Sequence, residues 1–183
     1  DADSSVATII YSSGTTRKSA AIMHYHDSLI NTTKMTLNVQ GLDKDDRYLS
    51  IVPNSHIYGV ICLMLGPALS GADAYYIDGM SADAILGAFS DYHPTVFLGV
   101  PKAYELFMTQ IMKKINSKAL TRIMFKTFFP ICLKKRKKDG NMLGKKLFKS
   151  IHEGFGGSLE FLCTAGAPTK QEVACFFYGT GFN

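Results

Sequence analysis

Short apolar runs alternate with segments of helical periodicity along this chain, and that alternation constrains the fold more than any other feature. Strands are predicted at Thr8–Tyr11, Arg47–Val52, Ala74–Ile77, Thr95–Leu98 and Leu159–Thr164. Pairs such as Ile51-Val52 and Val96-Phe97 are apolar at consecutive positions, as expected of strands that helices cover on both faces. The pattern predicts an α/β fold, with a layered and mostly parallel β-sheet flanked by helices.

Helices are predicted between these strands. They cover His26–Val39, Ile57–Leu69, Ala82–Ser90 and Pro101–Ile115. In the last of them, apolar residues recur at helical spacing and mark one buried face: Tyr104, Phe107, Met108, Ile111 and Ile115. The region Leu120–Ile151 is predicted to be helical with breaks at Pro130 and around Asp139-Gly140-Asn141. A capping box at Thr169–Glu172 predicts a final helix that ends near Gly179.

The loop after the first predicted strand is the clearest candidate binding element. Tyr11–Thr16 reads Tyr-Ser-Ser-Gly-Thr-Thr, with four hydroxyl side chains around one glycine. The glycine lets the backbone come close to a ligand, and hydroxyl and backbone N–H groups can donate hydrogen bonds to phosphate oxygens. An ordinary turn is the alternative, because hydroxyl-rich loops are common. The loop is not a Walker-type P-loop, since no lysine follows a second glycine.

The same loop, with Ile22 and His26 at the matching distance, resembles the phosphate loop of AMP-forming adenylating enzymes. That superfamily includes acyl-CoA synthetases, luciferases and the adenylation domains of peptide synthetases. The front half of the loop matches the signature Tyr-Thr-Ser-Gly-Thr-Thr-Gly-x-Pro-Lys-Gly. The back half departs from it, because Arg17, Ser19, Ala20 and Ala21 stand where the family has glycine, proline, lysine and glycine.

Further motifs follow in the order of the family. Pro53–Gly59 resembles the motif Pro-x-x-His-x-x-Gly that borders the acyl pocket, and His93–Pro101 resembles the segment Lys-Pro-Thr-x-x-x-x-Val-Pro. Gly156–Leu159 and Thr164–Pro168 resemble the Leu-Gly-Gly and Gly-Gly-Ala-Pro pair before the adenine site. The resemblance extends from about Val6 to the last residue, and it is strongest toward long-chain fatty acyl-CoA synthetases over residues 143–168.

This resemblance implies ATP-dependent activation of a carboxylic acid, with a fatty acid favoured. In the family the carboxylate attacks the α-phosphorus of ATP, pyrophosphate leaves, and a thiol, usually coenzyme A, attacks the acyl-adenylate. The implied cofactors are ATP with Mg²⁺, held by the phosphates, and coenzyme A as co-substrate. No metal site in the protein itself is expected, because the histidines lack clustered partners.

The resemblance also implies roles for particular residues. The implied ATP phosphate contacts are Ser12, Ser13, Gly14, Thr15 and Thr16, with Arg17 or Lys18 supplying the cation that Ala20 does not. The implied acyl and adenylate contacts are His56, Tyr58, Gly59, Gly166, Ala167 and Pro168. We expect His56 to orient the carboxylate rather than to move protons, and we expect the three segments to face one cleft. The alternatives are a structural histidine and a plain strand-to-helix turn.

Several motifs of the family are missing. Tyr178-Gly179-Thr180 imitates the family's Tyr-Gly-x-Thr-Glu, but no magnesium-binding glutamate follows. The ribose-binding aspartate, the hinge and the C-terminal domain with its catalytic lysine are absent, and the chain opens on Asp1 without a methionine. We therefore expect residues 1–183 to be a single fragment of the large N-terminal domain of a longer enzyme. No catalytic set is complete in it, so it is expected to be inactive alone.

Charge is unevenly distributed along the chain. The segment Lys113–Lys149 holds 13 of the 20 Lys and Arg residues and a single acidic residue, for a net charge of +12. Its peak is the run Lys134, Lys135, Arg136, Lys137 and Lys138. A solvated helix end would explain the run, and attraction to anionic lipid headgroups is the sharper hypothesis. Nucleic acid is not expected, because the nearby aromatic residues Phe125, Phe128 and Phe129 are predicted to form a buried helix face.

The remaining composition indicates a soluble, cytoplasmic protein, with peripheral attachment to a membrane as an alternative. No apolar run reaches membrane-spanning length and no signal-peptide pattern is present. Four cysteines, at positions 62, 132, 163 and 175, show no metal or redox spacing and are expected to be reduced and mostly buried. Two other functions stay open: a non-catalytic relative that binds nucleotide or lipid, and an adenylation domain for another acid.

Overall fold

The computed structural model of the chain describes residues 5–12, 19–77 and 81–183, and of residues 82 and 83 only the backbone. Its strands are β1 (Val6–Tyr11), β2 (Ala21–Tyr25), β3 (Arg47–Ser50), β4 (Asp73–Tyr76), β5 (Val96–Gly99) and β6 (Phe161–Thr164). Strands β1 and β2 form an antiparallel pair, and the other four form a sheet in the order β4-β3-β5-β6. In that sheet β5 and β6 are parallel, with Val96 opposite Phe161. The α/β prediction is confirmed.

Helices fill the segments between the strands. They are α1 (His26–Gln40), α2 (Ile57–Gly59), a π-helix (Val60–Leu65), α3 (Gly66–Ser70), α4 (Ala82–Tyr92), α5 (Pro101–Asn116), α6 (Ala119–Asp139), α7 (Leu143–Leu147), α8 (Lys149–Glu153) and α9 (Gln171–Thr180). The chain divides into two compact units, residues 1–48 with 52–74 and residues 49–51 with 75–183. No helix in the described ranges is both long enough and apolar enough to cross a bilayer.

The first unit has a small core. This unit contains the β1–β2 pair, α1 and the helical run from α2 to α3. Leu29, Thr33 and Leu63 are buried, and the Thr33 hydroxyl donates to the Leu29 carbonyl over 2.8 Å, which satisfies a polar group inside the unit. Helix α1 ends at Gly41, whose φ of 65° is the left-handed conformation that favours glycine at a helix end.

The second unit has an aromatic core. Phe89 lies 5.0 Å from both Phe97 and Phe155 between ring centroids, and its contact with Phe155 is edge-to-face. Tyr104 and Phe177 make a similar edge contact at 5.6 Å. The predicted buried face of α5 is confirmed, because Tyr104 is buried and its helical neighbours pack against the core: Phe107, Met108, Ile111 and Ile115.

Two predictions about local structure are wrong, and one strand was missed. Helix α6 continues through Pro130 and ends at Gly140, because Phe125 and Cys132 are buried on either side of the proline and their packing offsets its cost of about 3 kcal/mol. The capping box does not form, since α9 begins after Lys170 with no side-chain cap. Strand β2 was not predicted, because Ala21–Tyr25 is mostly exposed and has no consecutive buried residues.

Two predictions about exposure also fail. Arg136 is not part of the cationic surface: it is 4% exposed and donates to the Tyr178 carbonyl and to the Asn183 side chain, both over 2.7 Å. Phe128 is 38% exposed, so the predicted buried aromatic face holds Phe125 and Phe129 without it. Of the four cysteines, all are free thiols, but Cys132 alone is fully buried.

Candidate functional site

Two hydrogen bonds between Ser12 and Ala20 join the base of the hydroxyl-rich loop. The Ser12 N–H donates to the Ala20 carbonyl and the Ala20 N–H donates to the Ser12 hydroxyl oxygen, each over 2.9 Å. Ser12 therefore closes the base of the loop, and its own O–H hydrogen is not used by that bond. The other predicted phosphate contacts lie outside the described residues: Ser13, Gly14, Thr15, Thr16, Arg17 and Lys18.

The motif Pro53–Gly59 folds into a turn that starts helix α2. His56 is exposed at the N-cap, where its ring Nδ1 accepts a hydrogen bond from the Tyr58 N–H over 3.1 Å. The His56 N–H donates to the Pro53 carbonyl over 3.1 Å, which closes the turn. A Cβ on Gly59 would overlap the Pro53 carbonyl oxygen, so glycine is needed there for close backbone approach. Tyr58 is half-buried beside it.

A groove of about 350 Å³ lies in the first unit, next to this turn. Its lining comes from β1, the first turns of α1, the motif turn and the π-helix: Ala7, Thr8, His26, Leu29, Ile30, Asn54, Val60, Met64 and Leu65. The polar members Thr8, His26 and Asn54 are few among apolar side chains, as is usual in small-molecule sites. Val60 and Met64 were not predicted to line a site. They follow the motif directly and lie four residues apart, a spacing that indicates a shared helix face.

The π-helix beside the groove is a rare backbone conformation. Val60–Leu65 follows α2 directly and runs into α3 without an intervening loop. π-Helical turns inside α-helices occur often at functional sites. Here the wider turn lines the groove with Val60, Met64 and Leu65.

The bend after β6 belongs to the second unit. Gly166 has a φ of 89° and its position is open, because a Cβ there would meet no atom within 4 Å. Conformation rather than space therefore favours glycine at this position. Ala167 and Pro168 are exposed after it, and the Thr169 hydroxyl lies 3.4 Å from the hydroxyl of Thr164 across the bend.

Tyr104 holds the strand that leads into this bend. Its hydroxyl lies 2.8 Å from the Cys163 carbonyl on β6 and 3.1 Å from the Phe97 carbonyl on β5, and it donates to them. Burial raises the pKa of Tyr104 well above its ordinary value, so the hydroxyl stays protonated and remains a donor. Tyr104 thus fixes the end of β6 two residues before the bend begins at Ala165.

Metal ligands are not clustered in the part of the chain that the structure describes. No group of three His, Cys, Asp or Glu side chains there could hold a metal ion. The loop base, the motif turn and the groove lie in the first unit, and the bend at Gly166 lies in the second.

The whole chain, residues 1–183, matches the model of the AMP-binding enzyme family, and the chain belongs to that family. It is 26% identical over 191 residues to long chain acyl-CoA synthetase 8 of Arabidopsis thaliana. The match covers 93% of this chain and 26% of that protein. It is 25% identical to long-chain-fatty-acid–CoA ligase 1 of Saccharomyces cerevisiae, over 92% of this chain and 25% of the ligase. The chain thus spans about a quarter of the length of these curated relatives.

Solved structures show the same fold. The anthranilate CoA ligase AuaEII, in complex with anthranoyl-AMP, matches 99% of this chain and 28% of its own with a TM-score of 0.66 and 18% identity. ATP-bound MatB from Rhodopseudomonas palustris matches 99% of this chain and 28% of its own with a TM-score of 0.64 and 20% identity. At these identities the likeness establishes the fold.

Proposed function

We propose that this chain is part of an ATP-dependent, AMP-forming ligase that converts a long-chain fatty acid to an acyl-adenylate and then to an acyl-CoA thioester. The observation that carries the proposal is similarity over more than nine-tenths of the chain to proteins named long-chain acyl-CoA synthetases. The resemblance of the motifs around Ser12, His56 and Gly166 to those of the family also supports it. We further propose that all 183 residues belong to one N-terminal AMP-binding domain of the longer enzyme, and that the chain is inactive alone.

The hydroxyl loop is proposed to bind the β- and γ-phosphates of ATP. Ser12 supports this role because its hydroxyl oxygen accepts from the Ala20 N–H, a bond that does not use the Ser12 O–H hydrogen. Ser13, Gly14, Thr15 and Thr16 are assigned to the phosphates through the family motif. The family's lysine is replaced by Ala20, so Arg17 or Lys18 is proposed to supply the positive charge. A hydrogen bond to a charged group contributes about 1.5–3 kcal/mol, so the neighbouring cation matters for rate.

The motif turn is proposed to contact the acid. His56 and Tyr58 would contact the carboxylate side of the acyl-adenylate, and Gly59 would hold the turn in shape by its contact with Pro53. Gly166, Ala167 and Pro168 would line the adenylate through their backbone, where small side chains permit close approach. His56 is assigned to orientation because its ring nitrogen Nδ1 is already engaged with the Tyr58 N–H.

Magnesium is proposed as the metal ion of this reaction and coenzyme A as its co-substrate. The magnesium ion is proposed to arrive on the phosphates of ATP, whose oxygens are the ligands that it prefers. Magnesium would neutralise charge on the leaving pyrophosphate. Coenzyme A would supply the thiol that takes the acyl group from the adenylate.

The proposal is tested by ATP–pyrophosphate exchange in the full-length protein with a panel of carboxylic acids. Exchange should be greatest with long-chain fatty acids. The double variant Arg17→Ala/Lys18→Ala should lower the rate about ten- to a hundredfold, as expected from loss of one charged hydrogen bond. Lys44→Ala is the control, because Lys44 is exposed and its ammonium group pairs with the exposed carboxylate of Asp45. A double variant with the wild-type rate would remove Arg17 and Lys18 from the proposal.

A second candidate is a non-catalytic relative that binds nucleotide or lipid. Four positions of the loop depart from the family motif, and one of them replaces its lysine by Ala20. If the full-length protein binds ATP in calorimetry but forms no acyl-adenylate with any acid, this candidate replaces the ligase. Formation of acyl-AMP or acyl-CoA excludes it.

The cationic run is proposed to attract an anionic membrane surface. Lys134, Lys135, Lys137 and Lys138 are exposed, whereas Arg136 points into the protein and is excluded from this surface. Each basic residue near an anionic bilayer contributes about 1 kcal/mol, and the attraction weakens with salt. A fatty acid substrate partitions into membranes, so contact with a bilayer would place the enzyme near its substrate.

A further inference from the structure

Helix α6 has two apolar faces, and one of them is packed inside the protein. Phe125, Phe129, Cys132 and Arg136 recur at spacings of four, three and four residues, which places them on one side of the helix. Phe125 stacks on Phe129 with ring centroids 4.8 Å apart. The ring centroid of Phe176 in α9 lies 6.0 Å from that of Phe125. This side of α6 is therefore already occupied by α9.

The other apolar face is exposed to solvent. It consists of Leu120 (70% exposed), Ile123 (60%), Met124 (46%), Phe128 (38%) and Ile131 (46%). Their spacings of three, one, four and three residues keep them in one stripe along the helix. At 100° per residue, the stripe is centred roughly 140° away from the packed face. Five large apolar side chains in one continuous stripe are far more than the scattered exposed residues expected on a soluble surface.

Basic side chains continue and flank this apolar stripe. Lys134, Lys135 and Lys138 follow Ile131 at three, four and seven residues, so they extend the same face into the last turns of the helix. Arg122, Lys126 and Lys137 lie along one flank of the stripe. No acidic residue occurs from Ala119 to Lys138. The surface is thus apolar along its first three turns and strongly cationic at its end.

An anionic bilayer matches both properties of this surface. Its acyl boundary accepts apolar side chains a few ångströms below a layer of negative headgroups, and long lysine side chains can reach up to those headgroups. The exposed apolar residues of the β1–β2 pair differ in this respect. Ile9, Tyr11 and Met23 are about half exposed or more there, but the described part of that hairpin carries no Lys or Arg.

We propose that α6 lies in the plane of an anionic membrane surface, with Leu120, Ile123, Met124, Phe128 and Ile131 inserted at the headgroup–acyl boundary and Lys134, Lys135 and Lys138 binding headgroups. This inference extends the proposed electrostatic contact by adding insertion of an apolar face. It does not depend on ligase activity.

The test is sedimentation of the full-length protein with sucrose-loaded vesicles of phosphatidylcholine, with and without phosphatidylserine, at low and high salt. The variant Ile123→Ser/Phe128→Ser should lower the partition coefficient about tenfold or more at both salt concentrations, because apolar burial is not screened. The variant Lys134→Gln/Lys135→Gln/Lys138→Gln should lower it roughly a hundredfold at low salt and much less at high salt. Vesicles without phosphatidylserine should bind the wild type weakly.

Matched controls come from exposed residues elsewhere. Met35→Ser/Val39→Ser removes two apolar side chains of α1 that are 68% and 87% exposed, and Lys102→Gln removes an exposed lysine of α5. Both should bind vesicles as the wild type does. Insertion is overturned if Ile123→Ser/Phe128→Ser keeps wild-type binding, a result that leaves electrostatic contact alone. It is equally overturned if the wild type does not sediment with anionic vesicles, or if that variant changes only the melting temperature, because another part of the protein then covers the stripe.

Discussion

Motif glycines in the two units meet two different structural requirements, close packing and a positive φ. In the first unit, Gly59 permits a close approach to the Pro53 carbonyl within an exposed turn that also presents His56. In the second unit, Gly156 is pressed against the end of α4, whereas Gly166 sits in open space with a positive φ. Close packing thus requires glycine at positions 59 and 156, whereas backbone conformation alone favours it at position 166. Substituting alanine for glycines of each kind distinguishes the cost of lost close packing from the cost of a strained φ.

The largest effect is expected from Gly156→Ala in the second unit. Gly156 has a φ of 78°, and a Cβ there would overlap the Phe89 carbonyl oxygen. Backbone strain and overpacking together should lower the free energy of unfolding by about 2–4 kcal/mol, measured by urea denaturation. Gly157→Ala is the matched control, since its φ of 77° is similar but its surroundings are open. It should cost about 1–2 kcal/mol from strain alone; equal losses for both variants would show that the contact with α4 is not the cause.

Next in size is Tyr104→Phe, which tests how the second unit holds the strand before Gly166. The variant leaves the Cys163 and Phe97 carbonyls without this donor in a buried position. We expect a loss of about 1–3 kcal/mol in the free energy of unfolding. Tyr178→Phe is the comparison, because its hydroxyl donates to the Arg136 carbonyl over 3.2 Å from a residue that is 38% exposed. If Tyr178→Phe costs as much as Tyr104→Phe, burial is not what makes the Tyr104 contact strong.

Much of this fold could be predicted from the sequence, and the exceptions have physical causes. Strand β5 is apolar and buried at consecutive positions and the helices have clear periodicity, so local pattern was sufficient for these elements. Strand β2 was missed because it is exposed and depends on pairing with β1, which no local pattern reports. The break at Pro130 was wrong because tertiary packing outweighed the local cost of proline.

The candidate site was predicted less completely than the fold. Motif spacing located His56, Gly59 and Gly166, but it did not distinguish capping, close packing and positive φ as reasons for each residue. Arg136 was assigned to a basic surface because its four neighbours in the run are lysines. Its spacing from Phe125, Phe129 and Cys132 places it on the buried face, and that periodicity was readable in the sequence.

A smaller effect on stability, with a larger one on activity, is expected at His56 in the first unit. His56→Ala removes the ring nitrogen that accepts from the Tyr58 N–H, and loss of an N-cap costs about 1 kcal/mol. His56→Asn keeps a capping group and should restore that stability. If His56 also orients the acid, ATP–pyrophosphate exchange by the full-length His56→Asn protein should stay at least about tenfold low. Wild-type exchange in His56→Asn would reduce His56 to a helix cap.

The smallest effect concerns His152, which is buried in the second unit and stacks on Phe182 at 4.0 Å. Its Nε2 lies 2.9 Å from the Thr180 carbonyl and donates to it, while Nδ1 has no partner among the residues described. Burial lowers the pKa of His152, and the charges of Lys145 and Arg136 lower it further against the opposing effect of the Thr180 bond. The folded protein therefore binds a proton at His152 less readily than the unfolded chain does. In the unfolded chain the pKa of this histidine is near 6.5.

It follows that the contribution of His152 to stability is complete above about pH 6.5 and is lost as the pH falls below that value toward the folded pKa. His152→Phe keeps the ring stack but cannot be protonated. Its free energy of unfolding should be lower than wild type near pH 8 through loss of the Thr180 bond, and should fall less steeply between about pH 7 and pH 5. His56→Asn is the control for the slope, because that side chain is exposed. Equal slopes for the wild type and His152→Phe would show that other groups in the protein set its acid sensitivity.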